Sequence, residues 1–193
     1  MINDKTEIIF LLDRSGSMAG LESDTIGGFN AFIKKQCSFD EETKVTTVLF
    51  DDQYEVLWDE LDAKEVKLTD KEYFVRGTTA LLDAVGKTIV NVRNRLSISN
   101  EEEQPGKVIF VITTDGLENA STEFTYRKVK NLIQQQQSKD DWEFIFMGAN
   151  IDVAKEADSL GIMKENAYSF EATNEGVESM YIVISEVVSN KRK

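Results

Sequence analysis

Apolar and polar positions along the chain follow two alternating rhythms. Five apolar residues run unbroken at 8–12 (Ile8, Ile9, Phe10, Leu11, Leu12), and five more at 108–112 (Val108, Ile109, Phe110, Val111, Ile112). Runs of this kind, rich in branched side chains, predict strands buried on both faces inside a parallel sheet. Residues 144–147 predict another strand, and Tyr168-Ser169-Phe170 a short last one. Residues 44–50 and 54–57, extending to 61, predict two strands separated only by Asp51-Asp52-Gln53, hence an antiparallel hairpin. Between these strands the rhythm becomes helical. Ile26, Phe29, Phe32 and Ile33 mark one stripe of a helix ending near Gln36, and Leu81, Val85, Ile89, Val92 and Leu96 mark a second. Val129, Leu132 and Ile133 face inward from a third helix at 126–137, whose four glutamines at 134–137 predict a polar end. A short helix at 152–160 is closed by Gly161, and a last one at 175–190 shows Val177, Met180, Tyr181, Ile184, Val187 and Val188 on one face.

Two segments lack period. Residues 62–76 are charged and predict a surface connection, and 99–106, with Glu101-Glu102-Glu103 and the only proline, predict a loop. Gly27-Gly28 weaken the first helix and predict close packing on the sheet. Strands alternate with helices apart from the one hairpin. That is an α/β fold, an open sheet with helices on both faces. With no linker and no internal repeat, residues 1–193 read as one domain.

Composition narrows the function. The 22 basic and 35 acidic residues give a net charge of −13, a surface that repels phosphate backbones and argues against nucleic-acid binding. The one basic cluster, Lys191-Arg192-Lys193, reads as a solubilising terminal tail. A single cysteine, Cys37, excludes an internal disulfide and reads as a packing residue in a reducing compartment. The N-terminal Met1-Ile2-Asn3-Asp4-Lys5 leads straight into the first strand with no signal peptide, and no run approaches the roughly 20 apolar residues a bilayer requires. The expectation is a cytoplasmic protein without membrane contact. Histidine is absent, which removes Ser-His-Asp and Cys-His nucleophiles and imidazole general bases together, and argues against zinc. What remains is carboxylate, hydroxyl and metal chemistry.

That chemistry concentrates where the first strand ends. Asp13, Ser15 and Ser17 stand at alternate positions in Asp13-Arg14-Ser15-Gly16-Ser17-Met18, three hard oxygen donors in one turn suited to Mg²⁺, Mn²⁺ or Ca²⁺. The strand at 108–112 also ends on an acid, in Thr113-Thr114-Asp115-Gly116. Open α/β sheets gather ligands outside the carboxyl ends of their strands, where strand order reverses, so Asp13 and Asp115 are expected to face one gap. Thr78-Thr79, ahead of the second helix, supplies a third loop for the same edge.

Taken together, Asp-x-Ser-Gly-Ser-Met, Gly-Thr-Thr-Ala-Leu and Thr-Asp-Gly in this order resemble the metal-ion-dependent adhesion site of von Willebrand factor type A domains. The resemblance covers essentially the whole chain. It implies a doubly wound sheet of six strands in the order 3-2-1-4-5-6 with the third antiparallel, and a metal held by Asp13, Ser15, Ser17, Thr79 and Asp115. Thr79 matches the family's Gly-x-Thr-x-Leu, although the adjacent Thr78 leaves the register open. Glu118 and Asn119 fall either on the rim or in solvated loop. Ala19-Gly20 stand where adhesion receptors with a second, adjacent metal site carry acids. In the family the hydroxyls bind the ion directly while the carboxylates act mainly through water. The ion thereby stays electrophilic and takes a carboxylate from a partner protein. The resemblance thus implies Mg²⁺ or Mn²⁺, with Ca²⁺ a weaker choice, in a non-enzymatic binding domain that is a monomer when free and serves an intracellular multiprotein assembly.

Rival readings are weaker. A metal-assisted phosphate-ester hydrolase using Asp13 or Asp115 is the alternative class. Phosphatases of the haloacid dehalogenase type require an acid two residues beyond the first, where Ser15 stands. A Gly-x-Ser-x-Gly elbow is missing. Gly86-Lys87-Thr88 ends like a phosphate-binding loop, but Leu81 occupies the place of its first glycine and the segment lies within a predicted helix.

Overall fold

The structure, a computed structural model, describes residues 4–193. The leader-free start read from the first residues therefore lies, at Met1–3, outside the described residues. Six strands form one sheet: β1 (Thr6–Asp13), β2 (Thr43–Phe50), β3 (Tyr54–Asp62), β4 (Lys107–Thr114), β5 (Glu143–Gly148) and β6 (Ala167–Ser169). Their order is β3-β2-β1-β4-β5-β6, parallel except for β3, which runs antiparallel to β2. This is the expected order, with the hairpin where Asp51-Asp52-Gln53 placed it.

Because β1 and β4 are central, their side chains are buried on both faces. Ile8, Phe10 and Leu12 pack under α1 (Glu22–Gln36) and α5 (Asn174–Lys191), with Phe29, Phe32, Val177 and Ile184. Ile9 and Leu11 face α2 (Leu81–Ile98), α3 (Tyr126–Asp140) and α4 (Val153–Leu160), with Val85, Ile89, Val129 and Leu160. Each such side chain contributes about 1.5–3 kcal/mol on leaving water. Asp152 caps α4, its carboxylate accepting from the Lys155 amide, and Gly161 closes the helix in the left-handed conformation.

Five expectations are corrected. Gly28 is needed by α5 rather than by the sheet: a Cβ there would lie 2.2 Å from the Tyr181 ring, whereas Gly27 faces open space. Residues 62–76 are no mere surface connection, since Ala63, Val66, Leu68 and Tyr73 are buried in the α1–α5 layer. Their apolar residues follow the fold of an irregular segment, which periodicity does not detect. The basic tail is likewise anchored: the Arg192 side chain is 2% exposed, donates to Gln36 and Thr43, and lies over the Phe39 ring. Gln136 is buried within the glutamine run and donates to Asp140. The last strand starts one residue earlier, at Ala167.

Candidate metal centre

Register brings the two acids together. Leu12 pairs with Thr113 across the β1–β4 boundary, so Asp13 and Asp115 leave the sheet side by side where strand order reverses. Asp13 organises this edge. Its Oδ1 accepts from the Ser15 amide at 2.7 Å, and its Oδ2 accepts from the Thr114 hydroxyl at 2.8 Å and the Asp115 amide at 3.4 Å. The Tyr73 hydroxyl donates to the Asp13 carbonyl at 2.8 Å. Burial pushes the Tyr73 phenol far up, so it keeps the proton it donates.

Beyond Asp13 the chain makes a single 3-10 turn, Gly16–Met18, closed by Met18 donating to the Ser15 carbonyl. The turn sets the Ser15 and Ser17 hydroxyls 3.1 Å apart, and Ser17 donates to Asp115 Oδ1 at 2.5 Å. Since Ser17 gives its proton to Asp115, Ser15 donates to Ser17. Asp13, Ser15, Ser17 and Asp115 thus form one hydrogen-bonded constellation, with Ser17 and Gly16 open to solvent.

Thr79 joins through its backbone. Its amide donates to Asn119 Oδ1 at 2.8 Å, and its carbonyl accepts from the amides of Asn119 and Ala120. Gly16 donates to the Gly77 carbonyl at 3.0 Å, tying the first loop to the second. Of the adjacent threonines, Thr79 is buried and Thr78 exposed. Asn119 is therefore a tie between loops. Glu118 is another: it accepts from Leu82 at the start of α2, and from the amides of Ala120 and Ser121. From the β5 side, Asn150 donates to the Asp115 carbonyl at 3.2 Å. Sequence reasoning missed Tyr73, which sits in a segment without period, and Asn150, in the short connection between β5 and α4. Arg14 was visible between Asp13 and Ser15, but nothing in the spacing marked it.

The electrostatics ask for a cation. Asp13 and Asp115 are each 1% exposed. Burial pushes the Asp13 carboxyl up, opposed by its hydrogen bonds from Ser15, Thr114 and Asp115. Burial also pushes Asp115 up, opposed by the Ser17 hydroxyl and reinforced by the negative charge of Asp13. Asp115 Oδ2 is buried without any hydrogen-bond partner. An orphaned carboxylate oxygen beside a second buried acid is costly unless something positive completes it. Two carboxylates and neutral hydroxyls are a hard-oxygen set, which fits a divalent ion. Among the described residues, no three His, Cys, Asp or Glu side chains cluster here or elsewhere, so hydroxyls have to complete the donor set at this edge.

The fold is that of von Willebrand factor A domains. It is similar to the vWF domain of the type V pili tip protein Mfa5 from Porphyromonas gingivalis, with TM-score 0.69, 13% identity, and coverage of 97% of this chain and 96% of that one. It is also similar to proximal thread matrix protein 1 from the mussel byssus with a zinc-occupied MIDAS motif (TM-score 0.64, 14% identity, 97% of this chain and 47% of that one). Manganese-loaded Plasmodium vivax TRAP protein gives TM-score 0.64 and 16% identity over 93% of this chain and 73% of that one. The chain spans about half the length of the mussel protein. No protein-family model and no curated protein sequence matches it.

Proposed function

We propose that this domain binds a protein partner through a divalent cation held by Asp13, Ser15, Ser17, Thr79 and Asp115. The observation that carries this reading is the orphaned Asp115 Oδ2 beside buried Asp13, on a carboxylate whose Oδ1 accepts from Ser17, which in turn meets Ser15, with no cationic side chain on either acid. A divalent ion bound there supplies an electrophile for an Asp or Glu of the partner. The chain's own residues set up that chemistry. Asp13 has both oxygens engaged by the loop and acts as the frame. Ser15 and Ser17 offer neutral oxygens that leave an ion under-compensated. Thr79 is fixed by Asn119, and Asp115 by Ser17 and Asn150.

Mg²⁺ or Mn²⁺ is the proposed ion. Zinc and manganese in the mussel and Plasmodium proteins support a divalent cation, and zinc belongs in the titration despite the lack of histidine. The acid-bearing partner, an intracellular assembly, a monomeric free state and a non-enzymatic role complete the proposal. No helix among the described residues is long and apolar enough to cross a membrane.

Calorimetric titration of chelated protein with Mg²⁺, Mn²⁺ and Zn²⁺ tests it. One-site binding lost in Asp13→Ala and Thr79→Ala, and kept in Thr78→Ala, is expected. Absence of binding in the wild type overturns the reading. So does Mg²⁺-dependent turnover of a generic phosphate ester that Asp13→Ala abolishes, which would favour the hydrolase class.

A further inference from the structure

Arg14 sits in sequence between two of the cradle's residues, yet its side chain is directed elsewhere. It is 1% exposed, its Nη1 donates to Glu55 Oε2 at 2.7 Å, and its Nε lies 3.4 Å from Asp51 Oδ2, an ion pair without hydrogen-bond geometry. The same Asp51 oxygen accepts from Arg76 Nε at 2.7 Å. Arg76 stands three residues before Thr79. Its amide donates to the Arg14 carbonyl at 2.9 Å. The guanidinium carbons of Arg14 and Arg76 lie 5.6 and 5.4 Å from the centroid of the Phe74 ring, which both cations contact.

Asp51 itself is wholly buried at the tip of the β2–β3 hairpin. Its Oδ1 accepts from the Gln53 amide at 2.6 Å, and its carbonyl accepts from the Ala80 amide at 2.8 Å, one residue beyond Thr79. A single carboxylate thus pairs with two arginines from two different loops, Arg14 sharing its charge with Glu55 as well, while its own backbone holds the second loop. Burying an acid that only turns a hairpin would be wasteful, since an exposed Asn or Gly serves a turn as well. The arrangement has a specific geometric consequence: the first loop, at 13–17, and the loop of Thr79 cannot slide past one another while Arg14 and Arg76 share Asp51.

We propose that Asp51 is a positioning residue for the cation site, its buried carboxylate bracing the loop of Asp13, Ser15 and Ser17 against the loop of Thr79. This rests on reading that edge as a cation site. The brace touches none of the donors and acts by keeping hydroxyls from separate loops at one spacing. A site needing donors from three loops loses affinity steeply when their relative position is free.

The test is calorimetric Mn²⁺ binding to the full chain carrying Asp51→Asn, Arg14→Gln, both together, or Glu55→Gln. Asp51→Asn keeps the size of the side chain and leaves the Ala80 bond to the backbone untouched. At least a tenfold rise in Kd is expected for each of the first two, about 1.4 kcal/mol. The double variant is expected to match Asp51→Asn alone, because Asp51→Asn already breaks the Arg14 link together with that to Arg76. Glu55, half-exposed and paired with Arg14 through Nη1 rather than Nε, is expected to change Kd less than twofold. Arg95→Met, which destabilises the fold from the opposite end of the sheet, separates lost position from lost stability and is expected to leave Kd within twofold. Unchanged Kd in Asp51→Asn, or strictly additive losses in the double variant, overturns the brace while leaving the cation site standing. A wild type that takes up no Mn²⁺, Mg²⁺ or Zn²⁺ overturns the cation site and the brace with it. Should Asp51→Asn not fold, Arg14→Gln decides alone, an unchanged Kd overturning the proposal.

Discussion

Strand β1 carries a buried acid at each end, and the chain treats the two differently. Glu7, at the start, is 1% exposed and its Oε1 accepts from the Thr46 hydroxyl and from Arg95 of α2. Arg95 reaches Asp59 and Glu60 as well, closing a charge network at that edge. Asp13, six residues later, is equally buried and receives only neutral donors, as does Asp115 beside it. Burial pushes all three carboxyls up. At Glu7 the Arg95 cation opposes that shift, whereas at Asp115 the only charge nearby is another acid. One end of the strand therefore has its counter-ion built into the sequence. The other end has none among the described residues.

The largest effect comes from breaking the completed end. Arg95→Met leaves Glu7 buried without a cation, and removing one partner of a buried pair typically destabilises by about 3–5 kcal/mol. Because Arg95 keeps some solvent contact, the lower part of that range is expected. Urea unfolding of the chelated protein measures it, and a loss under about 1 kcal/mol would show that Glu7 is neutral in the fold.

Completing the open end has a comparable size and opposite sign. A ligand that binds only the folded chain stabilises it by about 2.7 kcal/mol at a hundredfold excess over Kd. Thermal unfolding with Mn²⁺ at that excess is expected to show this gain in the wild type and none in Asp13→Ala. An equal gain in Asp13→Ala would place the ion elsewhere.

The contrast also marks what could be read before any coordinates. The hairpin and the helices followed from local periodicity, because the cores of β1 and β4, at 8–12 and 108–112, are unbroken apolar runs, whereas the sheet order came only with the resemblance to the von Willebrand factor A family. Asp13, Ser15, Ser17 and Asp115 were legible because they end strands whose direction fixes which edge they reach. Thr79 could be preferred to Thr78 only through the family motif, with the register left open, since burial one residue apart depends on Asn119, forty residues along the chain. Glu7 and Arg95 gave no signal either. Their pairing spans 88 residues, and a charged side chain at a strand's first position reads as solvated. Tyr73, Arg192 and Asp51 share that limitation: each is defined by distant partners, and no spacing rule brings those together.

The smallest effect isolates the missing charge. Asp115→Asn keeps an acceptor for Ser17 while removing one of two buried negative charges. In chelated protein this is expected to stabilise by about 1 kcal/mol at neutral pH, since an unpaired buried charge is lost. The pH dependence fixes the cause. A carboxyl whose folded pKa lies above its unfolded value contributes stability that is complete below the unfolded pKa, the ordinary 3.8 of an aspartate, and that disappears as pH rises through the folded pKa. The stability difference between wild type and Asp115→Asn is therefore expected to be small near pH 4 and to grow in the variant's favour toward neutrality. Saturating Mn²⁺ is expected to abolish that trend in the wild type by supplying the charge the chain omits. A variant less stable than wild type at neutral pH without metal would mean that Asp115 already has its counter-charge from the protein, and the difference between the two ends of β1 would vanish.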